Sequence, residues 1–501
     1  MKAVSRGIDR IAVTFDDPNL VANAGLLLVA TLVRKLGLED LCNATIRLSG
    51  RSGGFQPGRK ILTLVHAMVA GASHIDHADM LRAGSTASVL PHRVMAPSTL
   101  GTFLRAFSFG HVRQFEKVIG DALGRAWSLG AGPGERQLVV DIDSTIREVF
   151  GKLKRGAAYG YTKVLGYHPI VATRADTGEI LHARMRTGSA NTQRGTKRFV
   201  EELVARLRRA GATGPIVMRF DSGYWNYDTI KVLTRLKVSY TMAVRTGTKA
   251  LAACISAIDE SSWVSIEYPV GGEAMVAECT YKGRRLIVRR TRLSGPQATL
   301  WPNWRHFAFL TDLQGSAVEL DAFHRAHAVV ELCIDDWKEG AGMEHCPSGD
   351  FSANAAWMCC AVLAHNLIRW SAKLGSLVEE NTLVVAQTLR TRYFSVPARL
   401  VNRSGTPTLR APTHWPWATS FTRALTTCVP SRSPLPEPSS RTGAAADEHQ
   451  RADNRDDAHH EPLDSHVSGS ELTAPRMPHT TAPAMPCLQI RSAGVRRWIE
   501  A

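Results

Sequence analysis

The spacing of apolar residues predicts that the first quarter of the chain is helical. Apolar positions recur every three or four residues through 20–36, 61–69 and 111–127, as they do in helices that bury one face. The glycine-rich run at 130–134 ends this pattern, because clustered glycines mark a loop. We therefore predict a helical N-terminal region over residues 1–130.

After this loop the pattern changes to short apolar runs, which indicate strands. Strands are predicted at 138–143, 164–173, 180–186, 215–220 and 238–245, and helices at 192–209 and 227–236. The first three strands follow one another through short connections, so we expect them to form an antiparallel meander. Residues 131–252 are thus predicted to form the first part of an α/β core.

A second group of strands is predicted at 264–270, 274–281, 284–292 and 307–312. Gly271-Gly272 and Lys282-Gly283 separate the first three of them, and both pairs are typical of hairpin turns. Helical spacing returns at 316–338 and 354–372. The resulting assignment is a β-rich segment at 253–315, a helical segment at 316–375 and a C-terminal segment at 376–429.

The end of the chain has the composition of a disordered tail. Residues 430–501 are rich in Pro, Ser, Arg, Asp and His and contain few large apolar residues. Such a segment cannot bury enough apolar surface to offset the entropy that ordering costs. His459 and His460, which lie in it, are interpreted as solvated residues rather than as a metal site.

The net charge narrows the choice of partners. The 501 residues include 61 Lys and Arg against 45 Asp and Glu, which gives a formal charge of +16. Such an excess attracts polyanions, among which nucleic acid is favoured over an anionic membrane surface. The alternative is a basic surface without a function. We predict a protein that works on nucleic acid.

The cysteines and the apolar runs indicate a cytosolic protein. Nine cysteines are scattered without any CxxC pair, which favours free thiols in a reducing compartment over disulfides or a zinc site. The first residues are charged rather than apolar, unlike an export signal. The apolar runs at 24–33, 61–72 and 355–368 are shorter than a membrane span.

A pair of short helices in the N-terminal region is a candidate for DNA recognition. A helix predicted at 75–81 is followed by a turn-rich segment and by a second helix at 99–106, which Ser98 is expected to cap. A helix-turn-helix-like unit of this kind would present Thr102 and Arg105 to DNA. An ordinary pair of packed helices explains the pattern equally well.

Two aspartates end the first predicted strand of the core. Asp141 and Asp143 stand at alternate positions in the segment VVDIDST at 139–145, so their side chains project from the same face of a strand. A hard divalent cation needs anionic oxygen ligands on a rigid support. The arrangement therefore favours a metal site, with either aspartate as a ligand.

Asp221 is a second candidate ligand. It follows the apolar strand at 215–220 and precedes a turn that contains glycine. Ligands favour such strand ends because the sheet holds them while the loop leaves them open. An aspartate after a strand is also an ordinary turn residue, so the position alone does not decide its role.

Glu331 is the third candidate, on the helix predicted at 316–338. It shares one helix face with His324, His327, Asp335 and Lys338. The simpler interpretation of this face is the solvated side of an amphipathic helix. Together with Asp221 and one of the two aspartates of the first strand, however, Glu331 could surround two Mg²⁺ ions about 3.5–4 Å apart, as phosphodiester chemistry requires.

Several motifs occur in a fixed order along the chain. They are Asp16-Asp17, AGL at 24–26, APSTLG at 96–101, VVDIDST at 139–145, GYHP at 166–169, RTG at 186–188 and RFDSGY at 219–224. This series resembles bacterial D-D-E transposases, in particular those of the insertion sequence 1380 family. The resemblance extends from the N-terminus to about residue 424.

The resemblance implies an α/β fold with a ribonuclease-H-like mixed sheet flanked by helices, interrupted by a β-rich insertion before the catalytic glutamate. It implies that Asp143 is the first catalytic carboxylate, because the family pattern places that aspartate two residues before a threonine. Asp221 and Glu331 match the other two. These three would hold two Mg²⁺ ions, for which Mn²⁺ can substitute, while Asp141 becomes a supporting acid that orients a basic residue or water.

The implied function is that of a DNA transposase. The region 1–130 would bind the terminal inverted repeats of the element, and the core would cleave a strand and join its 3′-hydroxyl to target DNA. Because two ends must be joined, a homodimer or larger assembly on DNA is expected. Contacts with DNA phosphates are expected from Lys338, His327, Lys163 and Arg219, in addition to Arg105.

Two positions depart from the family pattern. Related transposases carry a tyrosine, an arginine, the glutamate and a lysine at fixed spacing, whereas His324 and His327 stand where the tyrosine and arginine are expected. Histidine is mostly neutral near pH 7 and lacks the guanidinium fork. An inactive, transposase-derived DNA-binding protein is therefore one alternative, and a nuclease without strand transfer is another.

Overall fold

The chain folds around a mixed sheet of nine strands. The structure, a computed structural model, describes residues 11–151, 153–160, 162–267, 272–293, 304–380 and 382–428. The tail predicted to be disordered, 430–501, lies outside the described residues, as does the end of the strand predicted at 264–270. In chain order the strands are β1 (Leu20–Val21), β2 (Leu138–Ser144), β3 (Arg147–Glu148), β4 (Ala158–Tyr159), β5 (Leu165–Tyr167), β6 (Ile170–Arg174), β7 (Ile180–Arg184), β8 (Ile216–Phe220), β9 (Ser239–Val244), β10 (Val264–Ile266), β11 (Gly272–Tyr281), β12 (Arg284–Leu293), β13 (Arg305–Thr311), β14 (Ala398–Arg403) and β15 (Thr406–Arg410).

The sheet order places β2, the first strand of the core, third from one edge of the sheet. The order is β10-β11-β12-β13-β9-β8-β2-β6-β7. β8 pairs with β2 in parallel and β9 pairs with β8 in parallel, whereas β6 and β7 are antiparallel. Every residue of β8 is buried, as in a strand that is covered on both faces. The protein is therefore a mixed α/β fold.

Helices surround the sheet and form the N-terminal region. The α-helices are α1 (Leu26–Lys35), α2 (Leu38–Thr45), α3 (Pro57–Val69), α4 (Pro97–Arg105), α5 (Phe109–Ala126), α6 (Thr196–Ala210), α7 (Tyr227–Arg235), α8 (Lys249–Ser256), α9 (Ala317–Arg325), α10 (Val329–Gly340), α11 (Phe351–Leu374), α12 (Ala386–Leu389) and α13 (Ala418–Cys428). The helices predicted at 20–36, 61–69 and 111–127 correspond to α1, α3 and α5. Side chains of these helices, of the sheet and of α11 share one hydrophobic core.

The central helix of this core is α11. It has the length and hydropathy of a membrane span, but 89% of its most apolar window is buried inside the protein, where it packs against α3 and α5. Trp357 and Trp370 on this helix are each only 1% exposed. α11 is therefore the core helix of a globular fold.

The predicted β insertion is not separate from the core sheet. β13 pairs with β9 along four residues, so β10–β13 extend the central sheet beyond its parallel strands. The strand predicted at 164–173 is in turn divided by Pro169, which lacks an N–H for a ladder. Its first part, β5, forms a small second sheet with β3 and β4, and its second part is β6.

The N-terminal region differs from the predicted pair of helices. Residues Ile75–Arg82 form a 3₁₀ helix, a second 3₁₀ helix follows at Thr86–Val89, and α4 begins at Pro97. The predicted cap by Ser98 is wrong, because Ala96 occupies the N-cap position and Pro97 opens the helix. The helix-turn-helix interpretation loses its support, since a single α-helix is present where two were required.

A buried carboxylate links the helical region to the sheet. Glu179, just before β7, accepts hydrogen bonds from the indoles of Trp127 and Trp370, each at 2.8 Å. The guanidinium of Arg174 lies 3.5 Å away. Trp127 follows α5 and Trp370 belongs to α11, so one side chain connects three parts of the fold.

Replacing Glu179 with alanine is expected to lower the free energy of unfolding by about 3–5 kcal/mol. The change leaves two buried indole N–H groups without an acceptor and removes one anionic partner of Arg174. Chemical unfolding of the purified protein measures the loss. Glu179→Gln, which keeps one acceptor, should cost less. Equal stability of Glu179→Ala and the wild type would contradict the role of this residue.

Candidate active site

The register of the central strands brings two aspartates together. In the parallel pair β2–β8, Ile142 lies opposite Phe220, so the next residues, Asp143 and Asp221, are neighbours at the same edge of the sheet. Both lie at positions that alternate with these apolar residues and therefore share one face. Asp221 also accepts a hydrogen bond from the N–H of Ser222, which begins a short 3₁₀ helix.

Glu331 approaches the same edge from a helix. It lies in the first turn of α10, which packs against β2. The pKa of Asp143 is raised to about 6, mainly by burial and further by the charges of Asp221 and Glu331. A hydrogen bond from the N–H of Ser144, at 2.6 Å, opposes this shift. Asp221 and Glu331 are therefore close enough to Asp143 for their charges to raise its pKa.

The raised pKa of Asp143 predicts a pH-dependent stability. Because its pKa in the folded state exceeds the ordinary value near 4, the ionised carboxyl opposes folding. The protonated carboxyl of Asp143 stabilises the folded state. This stabilisation is fully present below about pH 4 and is lost as the pH rises through about 6. In metal-free buffer, the melting temperature of Asp143→Asn minus that of the wild type should grow between pH 4 and pH 6. A difference that stays constant would contradict this assignment.

Asp141 lies one pleat back from Asp143 and is fully buried. Its two carboxylate oxygens accept hydrogen bonds from Nε and Nη2 of Arg219, at 2.6 and 2.7 Å. Nδ1 of His327 lies 2.7 Å from Oδ1 of the same carboxylate. Since a carboxylate only accepts, the proton lies on Nδ1. Asp141 therefore orients two basic side chains and is already saturated by them.

The prediction that Arg219 contacts DNA is wrong for this structure. Its side chain is 3% exposed, and its third nitrogen, Nη1, donates to the carbonyl of Phe323 at 2.7 Å. A guanidinium with all three nitrogens engaged inside the protein cannot reach a phosphate. The residue instead connects β2 to the end of α9.

His324 also points into the protein. Its Nδ1 lies 2.7 Å from the hydroxyl of Thr241 on β9, and its ring stacks on Phe309 of β13 with centroids 4.2 Å apart. Burial lowers the pKa of His324 to about 3. A neutral, enclosed ring of this kind fastens α9 to the sheet.

The remaining predicted DNA contacts lie on the surface. Lys338, on α10, is partly exposed, and its Nζ is 3.4 Å from Asp335. Lys163 is exposed, with a left-handed backbone (φ 58°) in the loop before β5. Arg105 is exposed at the end of α4 and lies 3.4 Å from the hydroxyl of Thr102. The structure does not bring Arg105 and Lys163 into the carboxylate cluster.

Two residues of the sequence motifs hold the edge of the site in place. His168 contacts the carbonyl of Ala190 at 2.7 Å and the hydroxyl of Ser144, next to Asp143, at 2.9 Å. Arg186 donates from Nε to the carbonyl of His168 at 2.8 Å, and its Nη1 donates to carbonyls of the loop 191–194. Sequence reasoning used these residues as signatures but missed their supporting role.

An arginine strip at the same edge of the sheet was also missed. It consists of Arg289 of β12 and Arg305 of β13, which lie on one face of the sheet, and of Arg292 of β12, which lies on the other. All three are at least partly exposed. Ala308 pairs with Val244, the last residue of β9, so the start of β13 extends past the edge where Asp221 lies. Arg289 lies over the ring of Phe307, which is 50% exposed, at 5.0 Å. The signal in the sequence was the five arginines at 284–292.

A second acidic cluster lies elsewhere. Among the described residues, Glu116, His182 and Glu202 are the group whose possible ligand atoms all lie within 4.8 Å of one another. However, Arg113 and Arg184 each contact both glutamates. The two guanidinium groups already supply the positive charge that a metal would bring, so this is an ion-pair network between α5, α6 and β7.

The chemistry of the carboxylates at the sheet edge fits divalent metal ions better. Asp143, Asp221 and Glu331 offer hard oxygen donors, and among the described residues no guanidinium forms an ion pair with them. Two ions about 4 Å apart, each about 2 Å from its ligands, need carboxylates spread wider than a one-ion site does. The possible ligand atoms of Asp143, Asp221 and Glu331 do not all lie within 4.8 Å of one another.

The sequence matches a known family over most of its length. Residues 5–432 match the family described as Transposase DDE domain group 1, and the chain therefore belongs to the DDE transposases. It is a DNA transposase by class, and membership implies cleavage and joining of phosphodiester bonds with divalent metal ions.

Among solved structures, one similar protein is a piggyBac transposase. The match is to a cryo-EM structure of its synaptic complex with hairpin DNA, with 14% sequence identity and a TM-score of 0.42. It covers 83% of this chain and 87% of the other chain. No match was found among curated proteins.

Proposed function

We propose that the protein is a transposase of the insertion sequence 1380 type. It binds the terminal inverted repeats of its own element, cleaves a strand with Mg²⁺ and joins the exposed 3′-hydroxyl to target DNA. The observation that carries the proposal is the meeting of Asp143 and Asp221 at adjacent ends of parallel strands, facing Glu331. This is the rigid acidic edge that the reaction needs.

A ribonuclease-H-like core is the fold that we infer for residues around this edge. The antiparallel meander β2, β6, β7 followed by the parallel strands β8 and β9 supports it. In this proposal β10–β13 are the insertion before the glutamate, residues 1–130 bind the DNA ends, and the second part of the core begins near residue 316.

The residues divide into metal ligands and supporting groups. When bound, two Mg²⁺ ions would activate the attacking oxygen and stabilise the leaving oxygen. Asp143, Asp221 and Glu331 would hold them. The pair Asp141–Arg219 fixes the register of β2 against β8, because a buried bidentate pair holds the two strands at one relative position.

The proposed DNA contacts omit Arg219 and include the arginine strip. Lys338 lies on the same helix as Glu331, about two turns away, and would contact phosphate near the cut. His327 uses Nδ1 for Asp141, which leaves Nε2 as its atom for a DNA contact. Lys163 and Arg105 would contact DNA farther away, and the arginine strip takes the place of Arg219. A homodimer or larger assembly would hold the two ends.

A strand-transfer assay tests the proposal. The substrate is the element-end DNA, identified as the inverted repeats that flank the gene, incubated with the protein, target DNA and Mg²⁺ or Mn²⁺. Covalently joined product is the expected result. Cleaved ends without joining would make the protein a nuclease, and tight binding without cleavage would make it an inactive, transposase-derived DNA-binding protein.

A further inference from the structure

A pocket lies beside the candidate active site, where the N-terminal region meets the core. Its volume is about 290 Å³. The walls come from Ser73 and His74 in the loop after α3, from β3, and from residues 344–346 after α10. Three segments that are far apart in the sequence thus enclose one space.

The pocket is lined by cations and imidazoles. Arg147 and Lys154 line it together with His74 and His345, whose rings lie 4.2 Å apart. Two acidic residues, Glu148 and Glu344, also border it, and both are exposed. The carboxylates can thus remain in water while an anion occupies the interior.

Arg147 is the group best placed to bind that anion. The residue is partly exposed and lines the pocket, and its side chain also contacts that of Cys346, another residue of the pocket wall. Lys154 is held in position by the carbonyls of Cys346 and Ser348. The segment 149–175 contains no acidic residue at all, so nothing on this stretch repels an anion.

The support of the pocket is rigid. Arg147 pairs with Tyr167 in the small sheet, and the Tyr167 hydroxyl donates to the carbonyl of Arg155 at 3.0 Å and accepts from Asn354 at 3.1 Å. Gly188 packs against this sheet so closely that an added Cβ would lie 2.0 Å from the carbonyl of Gly166. The backbone at Arg147 is therefore held in place before any ligand arrives.

Two measures place the pocket at a short distance from the carboxylates. Arg147 follows Asp143 by four residues, which span at most about 14 Å. The N–H of Glu344 donates to the carbonyl of Lys338 at 3.0 Å, and Lys338 lies seven residues beyond Glu331, or about 10 Å along the helix. One DNA strand carries a phosphate every 3.4 Å of helix axis, so these distances correspond to about three or four nucleotides at most.

We propose that this pocket binds one DNA backbone phosphate, about three nucleotides from the phosphate that is cut, through Arg147. The inference rests on the proposed function, because it takes the cut to occur at Asp143, Asp221 and Glu331. It adds a contact that fixes the distance between the bound strand and the catalytic edge.

Phosphate-by-phosphate replacement tests the proposal. Element-end DNA is prepared with a neutral methylphosphonate at each position up to five nucleotides on either side of the cut, and binding to the full-length protein is measured by fluorescence anisotropy with Ca²⁺. Wild-type affinity should fall about tenfold at a position near the third nucleotide, the loss of one charge-assisted hydrogen bond. In Arg147→Gln that same replacement should cost less than about twofold.

Three variants make the result specific. Arg147→Lys should recover part of the sensitivity because it keeps the charge. Arg155→Gln is the matched control, since Arg155 lies in the same segment but pairs with Asp350 outside the pocket at 3.0 Å, and it should retain the full sensitivity. The slope of log affinity against log salt should decrease by about one in Arg147→Gln. Melting temperatures verify that each variant is folded.

The outcomes separate the two hypotheses. The pocket proposal is overturned if the position-specific loss of affinity persists in Arg147→Gln. It is also overturned if the wild type shows no such loss near the third nucleotide while other phosphates matter. Either result leaves the proposed function standing. A wild-type protein that does not bind element-end DNA overturns the proposed function and the pocket with it.

Discussion

Asp143→Asn, Asp221→Asn and Glu331→Gln are each expected to lower strand transfer by a factor of about 10³ or more. Each change removes an anionic ligand from a site that has three, and catalysis by metal ions depends on their position and charge. The amides are nearly isosteric with the acids, so the fold should persist. Strand transfer with element-end DNA and Mg²⁺, measured under single-turnover conditions, gives the rates.

Glu116→Gln is the control for these three variants. Glu116 belongs to the other acidic cluster, whose carboxylates are neutralised by Arg113 and Arg184, so strand transfer by the folded protein should stay close to that of the wild type. DNA binding without metal should be unchanged in all four variants. Activity near the wild-type level in any of the first three would refute the assignment of that residue.

Asp141→Ala is expected to lower the free energy of unfolding by about 3–5 kcal/mol. Asp141 and Arg219 are buried and joined by two hydrogen bonds, and removing one partner leaves an uncompensated charge inside the protein. His327 loses its acceptor as well. Chemical unfolding monitored by tryptophan fluorescence measures the loss.

Asp143→Ala is the matched control, because it removes the same side chain two residues away on the same face of the strand. It should leave stability unchanged or raise it, since Asp143 faces two other carboxylates. Replacing both partners, in Asp141→Leu with Arg219→Met, should recover part of the lost stability. The assignment is wrong if Asp141→Ala keeps wild-type stability, or if its folded fraction loses more strand transfer than Asp143→Ala does. Asp141 would then be the metal ligand and Asp143 the supporting residue.

The local pattern of the sequence was sufficient for the elements that carry the site. An apolar run ending in an acid predicts a strand whose last side chain is accessible, and β2 and β8 both have this form. The neighbourhood of Asp143 and Asp221 then follows from the parallel pairing of these strands. Periodicity alone could not give that pairing, and the family resemblance implied a mixed sheet without naming its strand pairs.

Contacts between distant segments could not be predicted. Arg219 stands two residues before Asp221 and looked like a phosphate contact, yet its partner Asp141 lies 78 residues away and meets it only through the β2–β8 register. The pairing of β13 with β9 likewise depends on the folded sheet, in which β9 has a free edge that β13 can join. The error at Ser98 was local. The helix begins at Pro97, so Ser98 lies inside the first turn and not at the N-cap position.

The most direct test of the central claim is the location of the metal ions. Crystals of the protein with element-end DNA and Mn²⁺, measured at a wavelength where manganese scatters anomalously, reveal each ion without reference to activity. We predict two peaks about 4 Å apart, bound by Asp143, Asp221 and Glu331. Manganese bound by Glu116, His182 and Glu202, with none at the ends of β2 and β8, would contradict the account.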